Sequence, residues 1–135
     1  MTTFIRTQSD NMDFQSLVDL LDKEFGERDG NQHSFYDQFN KVINIRNAIV
    51  FYKKTVEIKR MFVLPGYRGH GAGFNILNEL ELWAAELNYR QCILETGKKQ
   101  PEALRLYQKA GYKVIKNYGQ YENVENSVCM KKDIL

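Results

Sequence analysis

The stretch Val63 to Gly73, VLPGYRGHGAG, holds the residue types best suited to gripping an anion. Gly69, Gly71 and Gly73 fall within five residues. Such backbone turns tightly enough to aim successive amide N–H groups into one concavity. A helical pattern follows directly, so the positive end of its dipole adds to the same point. A pyrophosphate is the natural guest of that arrangement. Taken alone, the pattern equally suits a structural turn. Two rival phosphate motifs fit less well. A Walker loop ends in GK[ST], which is missing here, and the dinucleotide fingerprint spaces its glycines G-x-G-x-x-G rather than G-x-G-x-G. That fingerprint also belongs near the first strand of a βαβ unit, whereas here two helical patterns come first.

The elements that must position this loop can be read from periodicity. Phe4 to Thr7 forms a short β-like start. Phe14, Leu17, Val18, Leu20, Leu21 and Phe25 recur at helical steps, with Asn11 or Asp13 as cap and GERDGNQ as the stop. Phe35 to Ile43 suits a second helix, and Ala48 to Tyr52 (AIVFY) a strand. Thr55 to Val63 alternates with the period of two expected of a strand. A helix from Phe74 to about Leu87 carries Leu77, Leu80, Trp83, Ala84 and Leu87 on one stripe. Gln91 to Glu95 is an apolar strand. The next helix is punctuated by Pro101 at its first turn and Gly111 just past its end, with Ala103, Leu104, Tyr107 and Ala110 on its buried face. Tyr112 to Ile115 and Ser127 to Met130 close the chain as strands. The order β-α-α-β-β-α-β-α-β-β reads as α/β with mixed strand directions.

Composition bounds what such a domain can be. A chain of 135 residues, 43% hydrophobic and 27% charged, suits a single folded domain over 1–135. A formal charge of +2, with its Lys pairs at 53–54, 98–99 and 131–132 spread along the chain, gives no basic patch for nucleic acid. No apolar run reaches signal-peptide or membrane-spanning length, and Cys92 and Cys129 sit in apolar stretches that suit buried reduced thiols. A cytoplasmic protein is the expectation.

Two segments then become specific together. Arg68-Gly-His-Gly71-Ala-Gly73 resembles the R/Q-x-x-G-x-G/A signature of GNAT acetyltransferases, with Val63 and Pro65 in the family's places. ALRLYQKAGYKV, Ala103 to Val114, resembles the family's second signature, a helix carrying LY that leads into a GF or GY strand start. The resemblance covers Thr55 to Met130 well and the N-terminal third through element order. It implies a mixed, mostly antiparallel sheet flanked by helices and an N-acetyltransferase that moves an acetyl group from acetyl-CoA to a primary amine in a ternary complex. The acceptor would be a small molecule or a peptide, and no metal enters the scheme.

Carried over residue by residue, the resemblance places backbone groups of Met61, Phe62 and Val63 beside the pantetheine arm, on a strand that splays from its neighbour. Arg68, Gly69, His70, Gly71, Ala72 and Gly73 would cradle the pyrophosphate. Gln100 stands where the family often has Asn near the coenzyme. Tyr107 matches the general acid that returns a proton to the leaving thiolate; by spacing alone it is an aromatic on a buried helix face. Glu57 matches a position where some members carry a catalytic glutamate, and the amine must lose a proton before it attacks. Its bland alternative is a surface strand carboxylate, and other members use water chains instead. A strand N–H, that of Met61, would face the oxyanion. Cys92 and Cys129 are not expected to carry an acyl group, and His33 and His70 read as surface or loop residues. Tyr118, Tyr121 and Glu122, with Phe35 and Tyr36, could wall the acceptor side.

The sequence also departs from the family. AIVFY is separated from TVEIK by Lys53 and Lys54 alone, so one central strand is expected to be missing and the N-terminal half repacked. Parallel neighbours cannot be joined by two residues, which leaves a direct antiparallel hairpin or a displaced AIVFY. An edge exposed in this way could promote a homodimer. His70 and Ala72 also depart from the family's usual residues. A shortened sheet favours the alternative function, a module that binds acyl-CoA without efficient transfer; Tyr107 and Glu57 favour the enzyme.

Overall fold

The computed structural model describes residues 3–8, 10–29 and 54–134. Helix α1 (Met12–Asp29) begins where Asn11 Oδ1 accepts the backbone N–H of Phe14 at 3.0 Å. That is the expected cap, satisfying one of the orphan donors of the first turn. There follow β1 (Thr55–Glu57), a 3-10 turn (Pro65–Tyr67), α2 (Ala72–Glu86), β2 (Gln91–Gly97) and α3 (Pro101–Lys109). Strand β3 (Lys113–Ile115), a second 3-10 turn (Gly119–Tyr121) and β4 (Ser127–Asp133) complete the order.

The four strands form one mixed sheet in the order β1-β2-β4-β3. β1 runs parallel to β2, with Glu57 opposite Ile93. β4 is antiparallel to both β2 and β3, with Glu95 opposite Cys129. Alternation sorts the side chains between two faces. Cys92, Leu94 and Met130 join Leu77 and Ala84 of α2 and Tyr107 of α3 in the main core, with Val56 packed against them. Cys129, on the opposite face, is covered by Tyr121, Tyr118 and Val124. Leu77 and Met130 are fully enclosed, and burial of each such side chain contributes about 2 kcal/mol.

The helix ends follow the chain's punctuation. α3 opens on Pro101, and the backbone turns left-handed at Gly111 (φ 98) to leave it. α2 starts two residues earlier than the apolar stripe indicates, and Asn88 (φ 68) breaks it just past Leu87. Two expected strands are corrected. Residues 4–7 carry no strand. The run Thr55 to Val63 is strand only to Glu57, because Arg60 adopts φ 57 and turns the chain off the ladder; the last bond across is Ile58 N–H to Ile93 O at 2.8 Å. The helix expected over 35–43, the AIVFY strand, its link through Lys53 and hence the missing-strand question lie outside the described residues. So do His33, Phe35 and Tyr36.

Four arginines tie distant segments together. Arg60 Nη1 reaches Asp22 at 2.7 Å and Arg68 Nη1 reaches Glu24 at 2.8 Å, both on α1. Arg28 at the end of α1 pairs with Glu102 of α3, and Arg6 pairs with Glu79 and Glu86 of α2 while lying over the Trp83 ring. Among the described residues, no helix is long and apolar enough to cross a membrane.

Candidate active site

The parallel pair divides. β2 continues to Gly97 along β4, while the chain beyond Ile58 swings away at Arg60. Between the two edges lies a cavity of about 90 Å³. Glu57, Ile58, Lys59, Arg60 and Met61 line one side; Glu95, Thr96 and Gly97 line the other. Gln100, Ala103 and Tyr107 enter from α3, Tyr121 from the loop before β4, and Phe25 from α1. The split pair is the splay expected of the strand before the glycine loop.

Glu57 is not a surface carboxylate. The alternation Val56/Ile58 against Glu57/Lys59 suggests a wetted face, but the loop that carries Tyr118 and Tyr121 covers it, and Glu57 is only 5% exposed. Oε1 accepts a hydrogen bond from Tyr118 Oη at 2.9 Å, and Lys59 Nζ stands 3.7 Å from Oε2. Burial pushes the Glu57 carboxyl above its usual range, against the downward pull of the Lys59 charge and the Tyr118 hydroxyl. A carboxylate held in this state takes up a proton more readily than a free one.

Tyr107 lies on the opposite face of the sheet, at the mouth of the split, with its hydroxyl 3.9 Å from Met61 Sδ. Its ring meets Tyr112 edge to face at 5.9 Å. Burial, and secondarily the charge of Glu95, push its pKa up to about 12, so it stays a protonated donor. Gln100 occupies the N-cap position of α3, and its own N–H bonds Gly97 O at 3.0 Å. Cys92 and Cys129 are fully enclosed, and burial raises both thiols to about 11, which leaves them inert.

The glycine loop sits at the far end of the same segment. Gly69 (φ 83) and Gly71 (φ 82) are left-handed, and a Cβ at either would meet nothing within 4 Å. The space beside the backbone is open. Gly71 is the N-cap of α2 and no side chain caps it, so the first-turn N–H groups suit an anion such as a coenzyme pyrophosphate. Ala72 and Gly73 form that first turn, and Gly73 packs closely on Leu106. His70 is exposed. The Arg68 guanidinium points elsewhere: it lies over the Phe62 ring, donates through Nε to Val63 O at 2.7 Å, and pairs with Glu24.

The structure thus brings Glu57, Met61, Gln100 and Tyr107 around one cavity, while Phe62, Val63 and the loop residues 68–73 do not line it. Sequence reasoning missed Lys59, Thr96 and Gly97 as lining, and it missed the bond from Tyr118 to Glu57. Tyr118 was visible as an aromatic in a loop, but nothing in spacing links positions 61 residues apart.

Relatives place this geometry. An IAA acetyltransferase of Azospirillum brasilense is 35% identical over 78 residues, 58% of this chain and 51% of that one. An uncharacterised N-acetyltransferase of Mycobacterium tuberculosis is 31% identical over 84 residues, 61% of this chain and 54% of that one. The chain spans about half the length of the curated relatives it matches. Among solved structures, a Klebsiella pneumoniae protein assigned as an acyl-CoA N-acyltransferase superposes with TM-score 0.74 at 20% identity, covering 96% of this chain and 97% of that one. A GNAT family acetyltransferase from Elizabethkingia anophelis, solved with acetyl-CoA bound, gives TM-score 0.52 at 21% identity over 62% and 63%. At these identities the structures establish the fold. The model of the acetyltransferase (GNAT) family matches residues 8–112, from ahead of α1 through the split pair, the glycine loop and α3, and on that match the chain belongs to the GNAT family.

Proposed function

We propose that the chain transfers an acetyl group from acetyl-CoA to a primary amine by direct attack within a ternary complex. The observation that carries the reading is that Glu57 and Tyr107 line one cavity, opened where β1 parts from β2. The loop N–H groups of 69–73 would bind the pyrophosphate, with Arg68 contributing its backbone while its side chain holds α1. Backbone groups of Met61 to Val63, freed from the ladder, would orient the pantetheine arm, and Gln100 would border it. When bound, the coenzyme supplies the activated thioester.

Glu57 takes a proton from the acceptor's ammonium and releases a nucleophilic amine. Tyr107, protonated throughout the physiological range, supplies the proton that the departing thiolate needs.

Calorimetric titration with acetyl-CoA, followed by thiol-release assays across a panel of primary amines, separates the readings. Micromolar binding with turnover that Glu57→Gln and Tyr107→Phe each reduce supports the enzyme. Binding without turnover for every amine supports the binding module. A folded chain that binds no acetyl-CoA refutes both.

A further inference from the structure

The Glu57 carboxylate is held asymmetrically. Oε1 takes the hydrogen bond from Tyr118, whereas Oε2 is buried and faces the Lys59 ammonium as an ion pair at 3.7 Å, beyond hydrogen-bond distance. Tyr118 is itself fixed: its ring meets Tyr121 edge to face at 5.9 Å, and Tyr121 is only 2% exposed against Cys129. A donor anchored this way sets the rotation of the carboxylate rather than following it.

We propose that Tyr118 is a positioning residue for the base: by clamping Oε1 it leaves Oε2 as the oxygen that receives the acceptor's proton. The proposal rests on Glu57 being the base of the reaction above. In the step, an N–H bond of the ammonium breaks and its electron pair stays on nitrogen. The proton forms an O–H bond at Oε2. One positive and one negative charge become a neutral amine and a neutral acid, which suits a site that water barely reaches. The Tyr118 proton stays on its own oxygen.

The groups facing this carboxylate set its titration. Lys59 and Arg60 come from the same segment, Glu95 from β2, Tyr107 from α3, Tyr121 from the 3-10 turn and Cys129 from β4, while α1 brings the apolar Phe25. Burial raises Glu57, and Lys59 and Tyr118 oppose it. Loss of the hydroxyl therefore moves Glu57 further upward.

The test uses the full chain labelled with carboxyl-13C glutamate, titrated by carbon NMR without ligand, with the Glu57 signal assigned from Glu57→Gln. Tyr118→Phe, which keeps the ring, is expected to raise the Glu57 midpoint by about one to two pH units. The acidic limb of kcat/KM for thiol release, measured with the best amine of the panel, should move by the same amount. Incorporating 3-fluorotyrosine at 118, a stronger donor, should move the midpoint downward and serves if the Phe variant folds poorly. A midpoint that stays put, or a rate reduced equally at every pH with an unmoved limb, overturns the proposal and leaves Tyr118 a packing residue. Glu57→Gln that keeps both rate and limb overturns the base assignment itself, even where the NMR midpoint of Tyr118→Phe has moved.

Discussion

Gly71→Asp puts the phosphate cradle to a quantitative test. Gly71 stands at φ 82, and the space a Cβ would fill holds no atom within 4 Å, so the change carries no clash. Left-handed backbone costs a non-glycine residue about 1 kcal/mol. Capping side chains ordinarily sit on extended backbone, so Asp here gains mainly from its charge at the helix N-terminus, about 0.5 kcal/mol. The net loss of stability is then only about 0.5 kcal/mol, a Tm drop of a degree or two. Binding should suffer far more. A carboxylate about 5 Å from one pyrophosphate charge repels it by about 3 kcal/mol at an effective dielectric of about 20, or roughly 100-fold in Kd. Gly71→Ala carries the backbone cost without the charge and should lose less than about tenfold. Titration with acetyl-CoA at low and high salt reads both, and the Asp penalty should shrink as salt screens it. A folded Gly71→Asp protein with wild-type affinity would refute the assignment of this loop to the pyrophosphate.

Three further outcomes follow from the geometry. Glu57 has a folded pKa above its unfolded value of 4.5, so the native state holds the proton more tightly; stability is greatest at low pH and is lost as pH rises through the folded value. Glu57→Gln should therefore raise Tm by a few °C at pH 8, change it little at pH 4, and abolish the acidic limb of turnover; thermal melts at both pH values check this. Tyr107→Phe removes a hydroxyl whose neighbour is a thioether sulfur 3.9 Å away, so Tm should move by about 1 °C or less while turnover falls about 100-fold at unchanged coenzyme affinity. Glu24→Gln releases a partly exposed Arg68 pair, costing about 0.5 kcal/mol and leaving acetyl-CoA affinity unchanged or improved. A tenfold weakening there would show that the guanidinium must be held by α1 for the loop to work.

What was legible in the sequence was local. Asn11 ahead of an apolar stripe, Pro101 and Gly111 around α3, and glycines packed between strand and helix each carry their meaning within a few residues, and each is found where it was expected. The short ladder of β1 was not legible, since TVEIKRMFV alternates to its end and the break falls at Arg60, a residue type that does not advertise left-handed backbone. The burial of Glu57 was likewise hidden, because the cover comes from Tyr118 and Tyr121 far along the chain. Arg68 shows the same limit: its place in the signature says nothing of Glu24, 44 residues away, which takes its side chain.

The arginine clasps give the two halves of the cleft different physical characters. The α2 and α3 side is secured by enclosed apolar side chains, whose grip is nearly indifferent to dissolved ions and weakens on cooling. The α1 side, which contributes Phe25 to the cavity wall, leans on Arg60–Asp22, Arg68–Glu24 and Arg28–Glu102 as well as on the buried Leu21. Arg68–Glu24 and Arg28–Glu102, which reach solvent, loosen as the ionic medium thickens, whereas the Arg60 side chain is only 4% exposed and its pair is screened less. A change of salt therefore bears on how firmly α1 is held, and on the Arg6 pairs of α2 as well, while the enclosed apolar contacts between the sheet, α2 and α3 hardly respond.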